Sequence, residues 1–153
     1  MGELIVKQVK GTMVKRTAIY IKANKTGAYD TLLSDQAKVL LAERLVDPTW
    51  YSYDLYKERF NALCKVEARN DRHTIIQWGR TLGDDLLHTI YKATVSEFNV
   101  KTALFRYARF HRMIFNFGEV EGKIVSDHEV EVIYRDFEPN WDNFYHIVTG
   151  WVQ

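Results

Sequence analysis

The sequence predicts an α+β fold with a helical N-terminal two-thirds, an antiparallel β-hairpin at about residues 119–136 and a C-terminal closing helix. Three observations support this prediction. Apolar residues recur at helical spacing as far as Phe115, and after Gly118 the apolar period changes to two, which is typical of a half-buried strand. From Trp141 onward the helical spacing returns.

The first three predicted helices are marked by apolar stripes and by residues that favour helix ends. In the first helix, apolar residues recur about one turn apart, at Met13, Val14, Ala18 and Ile21. Ser34 is a favourable cap for the second helix, and Asp47-Pro48 ends it because the residue before proline avoids the helical conformation. Ser52 is the expected cap of the third helix, and Asn70-Asp71 is its expected break.

Two further helices complete the N-terminal part of the prediction. One runs from Arg72 to about Ser96 and contains Gly79 and Gly83, each of which costs about 1 kcal/mol relative to alanine in a helix interior. These glycines indicate either a kink or the close approach of another backbone. The other helix extends through Phe115 and is aromatic or apolar on nearly every side, which predicts a central position.

The hairpin and the last helix follow Gly118. The two strands alternate apolar and charged residues, with the apolar positions at Val120, Ile124, Val130, Val132 and Tyr134. Ser126-Asp127-His128 is the expected turn between them. The last helix has Phe144, Tyr145, Ile147 and Val148 at helical spacing. The hairpin and the last helix are therefore expected to pack on each other.

Length and composition predict a single domain that spans residues 1–153. Because no window contains the roughly 20 consecutive apolar residues that a membrane-spanning helix needs, no membrane span is expected. The N-terminal residues do not resemble a secretion signal. The single cysteine, Cys64, excludes an internal disulfide, which agrees with a reducing compartment and predicts a cytoplasmic location.

The charge pattern excludes a strongly basic nucleic-acid-binding domain. The chain contains 21 basic and 20 acidic residues, mixed along its length, so the net charge is only +1. One local cluster stands out, because Arg106, Arg109 and Arg112 recur every third residue along the aromatic helix. They indicate a solvated or salt-bridged helix face, and the alternative interpretation is a face that binds an anion or a protein partner.

No motif for catalysis or metal binding is present, so the sequence predicts no enzyme and no metal site. The five histidines lack the spacing of zinc ligands, and the serines lack a nucleophile elbow. The glutamates of the hairpin alternate with apolar residues, as on the solvated face of a sheet. His111 is the best candidate for a role, either as a core histidine or, in a third alternative, as part of a cryptic enzyme with Arg109 or Arg112.

The order of the helices, the Gly118 junction, the valine-rich hairpin and the terminal Gly150-Trp151 resemble one superfamily. It groups haem-based nitric-oxide sensor domains, vinyl-reductase-type small-molecule-binding domains and acyl-binding subunits of Golgi transport-particle tethers. Uncharacterised bacterial families of similar length look similar. The resemblance implies a ligand site between the helices and the hairpin, and a buried cysteine as acyl acceptor in the tether subunits. Cys64 is either such an acceptor or a small core residue.

The haem site of the nitric-oxide sensors is not matched. That family carries Tyr-x-Ser-x-Arg on the second hairpin strand, where this chain has Tyr134, Asp136 and Glu138 at the corresponding positions. A carboxylate at either of the last two positions would repel a haem propionate. The axial position falls near Phe105, which cannot ligate iron, and the nearest histidine is His111. We therefore expect no haem and no other cofactor.

Two functions are expected from these observations. The first is a non-enzymatic sensor or ligand-binding domain that signals through a protein partner. An apolar small molecule or acyl chain would lie among five residues, Trp78, Tyr107, His111, Phe115 and Tyr134. The alternative is a structural protein–protein interaction module with a filled core, which binds another chain or a second copy through its surface aromatics.

Overall fold

The computed structural model describes residues 6–89 and 100–152. These residues form six helices and four strands, and the predicted α+β class is confirmed. The helices are α1 Gly11–Ala23, α2 Asp35–Ala42, α3 Tyr53–Glu67, α4 Arg72–Thr89, α5 Val100–Ile114 and α6 Asp142–Val152. The strands are β1 Gln8–Lys10, β2 Trp50–Ser52, β3 Glu119–Ser126 and β4 Glu129–Arg135. The predicted extension of α4 from residue 90 to Ser96 lies outside the described residues.

The chain divides into two compact units, each built from two separate stretches of sequence. The first unit contains residues Met1–Ala62 and Val100–Phe137, and the second contains Leu63–Asn99 and Glu138–Gln153. The single domain expected from the chain length stays a prediction.

The first unit contains a small sheet that the sequence did not reveal. Strand β1 pairs antiparallel with β2, and on its other side Val9 forms a bridge with Phe115. The Asn116 side chain also binds the backbone at the start of β1. Its Oδ1 accepts a hydrogen bond from the Gln8 amide at 2.7 Å, and its Nδ2 donates one to the Val6 carbonyl at 2.8 Å. The start of α1, the start of α3 and the end of α5 are thereby held side by side.

The predicted hairpin is confirmed, and its turn lies at Asp127-His128. Strand β3 packs against α5. A Cβ atom built on Gly122 would lie 2.7 Å from the Leu104 Cβ, so only glycine allows this strand to approach the helix so closely. The glycine in the middle of β3 is therefore a packing requirement.

The second unit is built around the pair α4 and α6. A Cβ atom on Gly79 would lie 2.1 Å from the Ile147 carbonyl oxygen, and one on Gly150 would lie 1.8 Å from the Ile76 carbonyl oxygen. Of the two interpretations of Gly79, close backbone approach is thus the one that the structure shows. Helix α6 packs on α4 in this unit, whereas the hairpin packs on α5 in the first unit.

Helix α5 is amphipathic, so the central position predicted from its aromatic and apolar residues is wrong. Phe110 and Ile114 are buried on one side, while Phe105 is 66% exposed and Met113 is 50% exposed on the other. The sequence could not distinguish the buried side from the exposed side, because aromatic residues occupy both. Within residues 6–89 and 100–152, no helix combines the length and the apolar character needed to span a membrane.

Candidate functional sites on helix α5

The buried side of α5 belongs to a cluster of aromatic side chains in the first unit, which we call the aromatic cluster. Its members lie on α3, on α5 and just after it, on β4, and in the residues that directly precede β3 and follow β4. They are Tyr53, Tyr56, His111, Phe115, Phe117, Tyr134 and Phe137. Adjacent rings have centroids about 5 to 6 Å apart and mostly meet edge to face, which is the favourable arrangement for aromatic pairs. The cluster is therefore a well-packed core.

Gly118 sets the path of the chain into this cluster. Its φ of +78° is a left-handed conformation that residues with a side chain rarely adopt. A Cβ atom there would lie 2.8 Å from the Phe137 ring. With glycine at this position, Phe117 and Phe137 stack with their centroids 4.9 Å apart at the open end of the hairpin. The Gly118 junction noted in the sequence thus positions two members of the cluster.

His111 is the polar member of the cluster and is only 3% exposed. Its Nε2 lies 3.1 Å from the Phe117 carbonyl oxygen, which can only accept, so Nε2 carries the hydrogen in the neutral ring. Burial lowers the pKa of His111, the Phe117 carbonyl raises it, and the Arg112 charge lowers it again. The imidazole is therefore neutral at pH 7 and is held as a hydrogen-bonded core residue.

Four of the five predicted pocket residues lie together in the first unit. The His111 ring lies 5.1 Å from the Phe115 ring and 5.6 Å from the Tyr134 ring, and the hydroxyls of Tyr107 and Tyr134 are hydrogen-bonded to each other. Trp78, the fifth residue, lies on α4 in the second unit. Because the four side chains contact one another, a ligand among them would have to displace rings.

The opposite side of α5 is exposed and carries both cations and large apolar side chains. We define the outer face of α5 as Phe105, Arg109, Arg112 and Met113, which follow one another at helical spacings of four, three and one residues. Arg109 and Arg112 form no ion pair with any residue that the structure describes. The salt-bridged interpretation therefore finds no support for these two arginines among the described residues. The side chain of Arg106, the third predicted member, lies outside the described residues.

Arg59 is a buried charge that the sequence analysis missed. It lies on α3 between Tyr56 and Phe60 and is fully buried. Its Nη2 donates to the Val14 carbonyl of α1 at 3.4 Å, whereas Nε and Nη1 have no hydrogen-bond partner among the described residues. The signal was present in the sequence, because Arg59 falls three residues after Tyr56 and four before Leu63, on the apolar stripe of α3.

Cys64, on α3 in the second unit, is completely buried. Burial raises the pKa of its thiol to about 12, so the thiol remains protonated at neutral pH. Since the thiolate is the nucleophilic form, the cysteine is a poor acceptor for an acyl group in this conformation. The structure gives Cys64 the environment of a small core residue.

A cleft of about 350 Å³ lies at the end of α1, remote from α5 in sequence, and is open to solvent. Its wall combines apolar side chains with Lys22, Lys25, Lys38 and Asp30. In the described part of the chain, histidine, cysteine, aspartate and glutamate form no group of three that could hold a metal ion.

Comparison of the chain with protein-family models, with curated proteins and with solved structures finds no match in any of the three. The superfamily resemblance therefore stays a prediction from the order of elements.

Proposed function

We propose that this chain is a non-enzymatic protein-interaction domain that binds an acidic partner through the outer face of α5. The observation that carries the proposal is the exposure of Phe105 and Met113 beside Arg109 and Arg112. Exposed apolar residues are common singly, but these two large ones flank arginines that form no ion pair with the described residues, and together they form a surface suited to a partner.

The residue types fit an interface. Aromatic residues, methionine and arginine are enriched at the centres of protein–protein interfaces, whereas lysine and glutamate are depleted there. Burying apolar surface contributes about 25 cal/mol per Å², and an arginine that reaches a carboxylate forms a strong, charge-assisted hydrogen bond. The outer face of α5 offers both contributions within about two helical turns.

The charge of this face indicates the chemistry of the partner. In a two-fold symmetric dimer the same patch meets itself, so Arg109 and Arg112 would lie close to their own copies and repel them. A segment with carboxylates beside apolar residues, such as an acidic amphipathic helix, instead complements both the charge and the apolar area. The proposed occupant is therefore an acidic amphipathic segment of another protein, not a second copy.

The test is site-specific photo-crosslinking in the source cells, with benzoylphenylalanine in place of Phe105. Ile19, an apolar residue of α1 with a similar exposure of 63%, is the matched control position. We expect the adduct at position 105 to map to an acidic segment of one protein, and expect Arg109→Glu with Arg112→Glu to abolish it. Adducts with a second copy of the chain, identical adducts from position 19, or insensitivity to the charge reversal would refute the proposal.

A second candidate function is a sensor or ligand-binding domain for an apolar small molecule or acyl chain. The observation that favours it is that α5 contacts the aromatic cluster through its buried side, which includes His111, and presents the outer face on its opposite side. A ligand bound in the cluster would therefore contact the same helix as the partner. The proposed ligand-facing residues in the first unit are Tyr107, His111, Phe115 and Tyr134. Trp78, in the second unit, stays a prediction from the sequence.

Native mass spectrometry of the purified protein tests this second candidate. Retention of a small molecule that is lost on denaturation would support it, and a mass equal to the bare chain would count against it. An absorption spectrum of the same sample checks the expectation that no haem is bound, because a Soret band would contradict it. Both candidate functions assume a reducing compartment such as the cytoplasm, since the only cysteine is buried and unpaired.

A further inference from the structure

The guanidinium of Arg59 is the least satisfied charged group in the described part of the chain. Two of its three nitrogens, Nε and Nη1, have neither solvent contact nor a hydrogen-bond partner there. The third nitrogen reaches the Val14 carbonyl at 3.4 Å, and the Thr17 hydroxyl already donates to the same oxygen at 2.9 Å. Arg59 is therefore held by one long, shared hydrogen bond.

No carboxylate of the described residues forms an ion pair with Arg59. Burial lowers the pKa of Arg59 to about 10, and the Coulombic neighbour acting on it is the Tyr56 hydroxyl. A pKa in that range leaves the side chain protonated at neutral pH. Glu58, the adjacent carboxylate on α3, is engaged by the Ser34 amide and hydroxyl at 2.5 and 3.0 Å. Buried ions are ordinarily paired, because an uncompensated buried charge is strongly destabilising.

We propose that Arg59 is the binding group for the carboxylate of an amphiphilic small-molecule acid, whose apolar tail lies along the aromatic cluster. A carboxylate offers acceptor oxygens to the open N–H groups of Nε and Nη1 and cancels the charge. Tyr56 lies one helical turn before Arg59, and its ring packs 6.4 Å from the Phe115 ring, so the tail would enter beside Tyr56 by displacing rings of the cluster.

This inference is independent of the outer face of α5, and it rests on the second candidate function only for the position of the tail. Because Arg59 is fully buried, the acid reaches it only when the contact between α1 and α3 opens. Binding is therefore coupled to a local rearrangement, and slow association is expected compared with a preformed pocket. The gain in binding comes from relieving the unpaired charge.

The test compares octanoate, octanol and acetate as probes in thermal unfolding of the full chain at constant ionic strength. Octanoate should raise the melting temperature and bind roughly 10- to 100-fold more tightly than octanol, as expected for a hydrogen bond to a charged group. Arg59→Met should remove this preference while leaving the melting temperature of the free protein unchanged or higher, because an apolar side chain replaces an unpaired charge. Arg109→Met, on the outer face, is the control that should retain the preference.

A second readout covers the case in which Arg59→Met does not fold. In the wild-type chain, the side-chain Nε–H resonance of Arg59 should shift on addition of octanoate and remain unchanged with octanol. Equal effects of octanoate and octanol, or a variant without Arg59 that keeps the preference, would overturn the proposal. If acetate stabilises the chain as strongly as octanoate does, the result would support carboxylate binding at Arg59 but refute the proposal that the apolar tail lies along the aromatic cluster.

Discussion

Replacing Gly150 with alanine should destabilise the second unit by about 2 kcal/mol, because α4 and α6 touch through their backbones at this point. The added Cβ would lie 1.8 Å from the Ile76 carbonyl oxygen and 2.9 Å from the Arg80 amide nitrogen. The two helices would have to separate by about 1 Å or more to restore ordinary van der Waals distances, and a gap of that size forfeits a quarter to a half of each contact along the seam. Overpacking of this kind costs about 1 to 3 kcal/mol, sometimes more.

The helix propensity of alanine works in the opposite direction and recovers about 1 kcal/mol relative to glycine, so the clash must cost about 3 kcal/mol to give the net value. Urea unfolding followed by far-ultraviolet circular dichroism measures the difference. Gln77→Ala, at an exposed position of α4, is the control and should change stability by less than about 0.5 kcal/mol. If Gly150→Ala is as stable as the wild type, or more stable, the close helix crossing is wrong.

Three further predictions concern single residues. Ser34→Ala should cost about 1 kcal/mol in urea unfolding, because the hydroxyl accepts from the Ala37 amide at 3.2 Å and caps α2; an unchanged midpoint would contradict this. Cys64 should resist thiol reagents at pH 8 in the folded protein and react in urea, whereas rapid labelling of the folded protein would refute its burial. The pKa of His111 is lower in the folded chain than in the unfolded chain, so below about pH 6.5 the unfolded chain binds more protons than the folded chain. The contribution of His111 to the free energy of unfolding is therefore full above that pH and declines as the pH falls towards the folded pKa. His111→Gln should flatten this decline, and an unaltered pH profile would assign it to other groups.

The sequence was informative at several positions where capping and turn chemistry act locally, although α2 ends at Ala42 and not at Asp47-Pro48 as predicted. The cap at Ser34, the break at Asn70-Asp71 and the hairpin at about residues 119–136 follow from short-range rules and are confirmed. Asn70 indeed has a positive φ of 56°, which asparagine tolerates better than most residues.

The sequence failed where partners come from distant parts of the chain. Strands β1 and β2 have three residues each, too few to show an alternating pattern, and they are recognisable only through their pairing with each other. The buried and exposed sides of α5 could not be told apart because both contain aromatic residues. Which side faces the core depends on the hairpin, in particular on the approach of Gly122 to Leu104.

Of the candidate sites, too, the sequence predicts those that depend on local elements and misses the one that depends on a distant contact. His111 and Tyr134 lie on a helix and a strand that the sequence predicts, and the rings of His111, Phe115 and Tyr134 are in contact, whereas their role as pocket residues stays a prediction. Arg59 was missed because a lone arginine on an apolar stripe is ordinarily expected to extend its charged end into water. Only the position of α1 above it shows that the guanidinium is enclosed.

The claim for α5 is that its outer face is open in the free chain and covered when an acidic partner binds. Hydroxyl-radical footprinting measures this exposure, with Phe105 and Met113 as reporters and Ile19 as the exposed reference. We predict that all three residues are oxidised in the purified chain and that addition of the crosslinked partner protects Phe105 and Met113 alone. If Phe105 and Met113 are already protected in the free chain, or remain oxidised in the complex, the claim is contradicted.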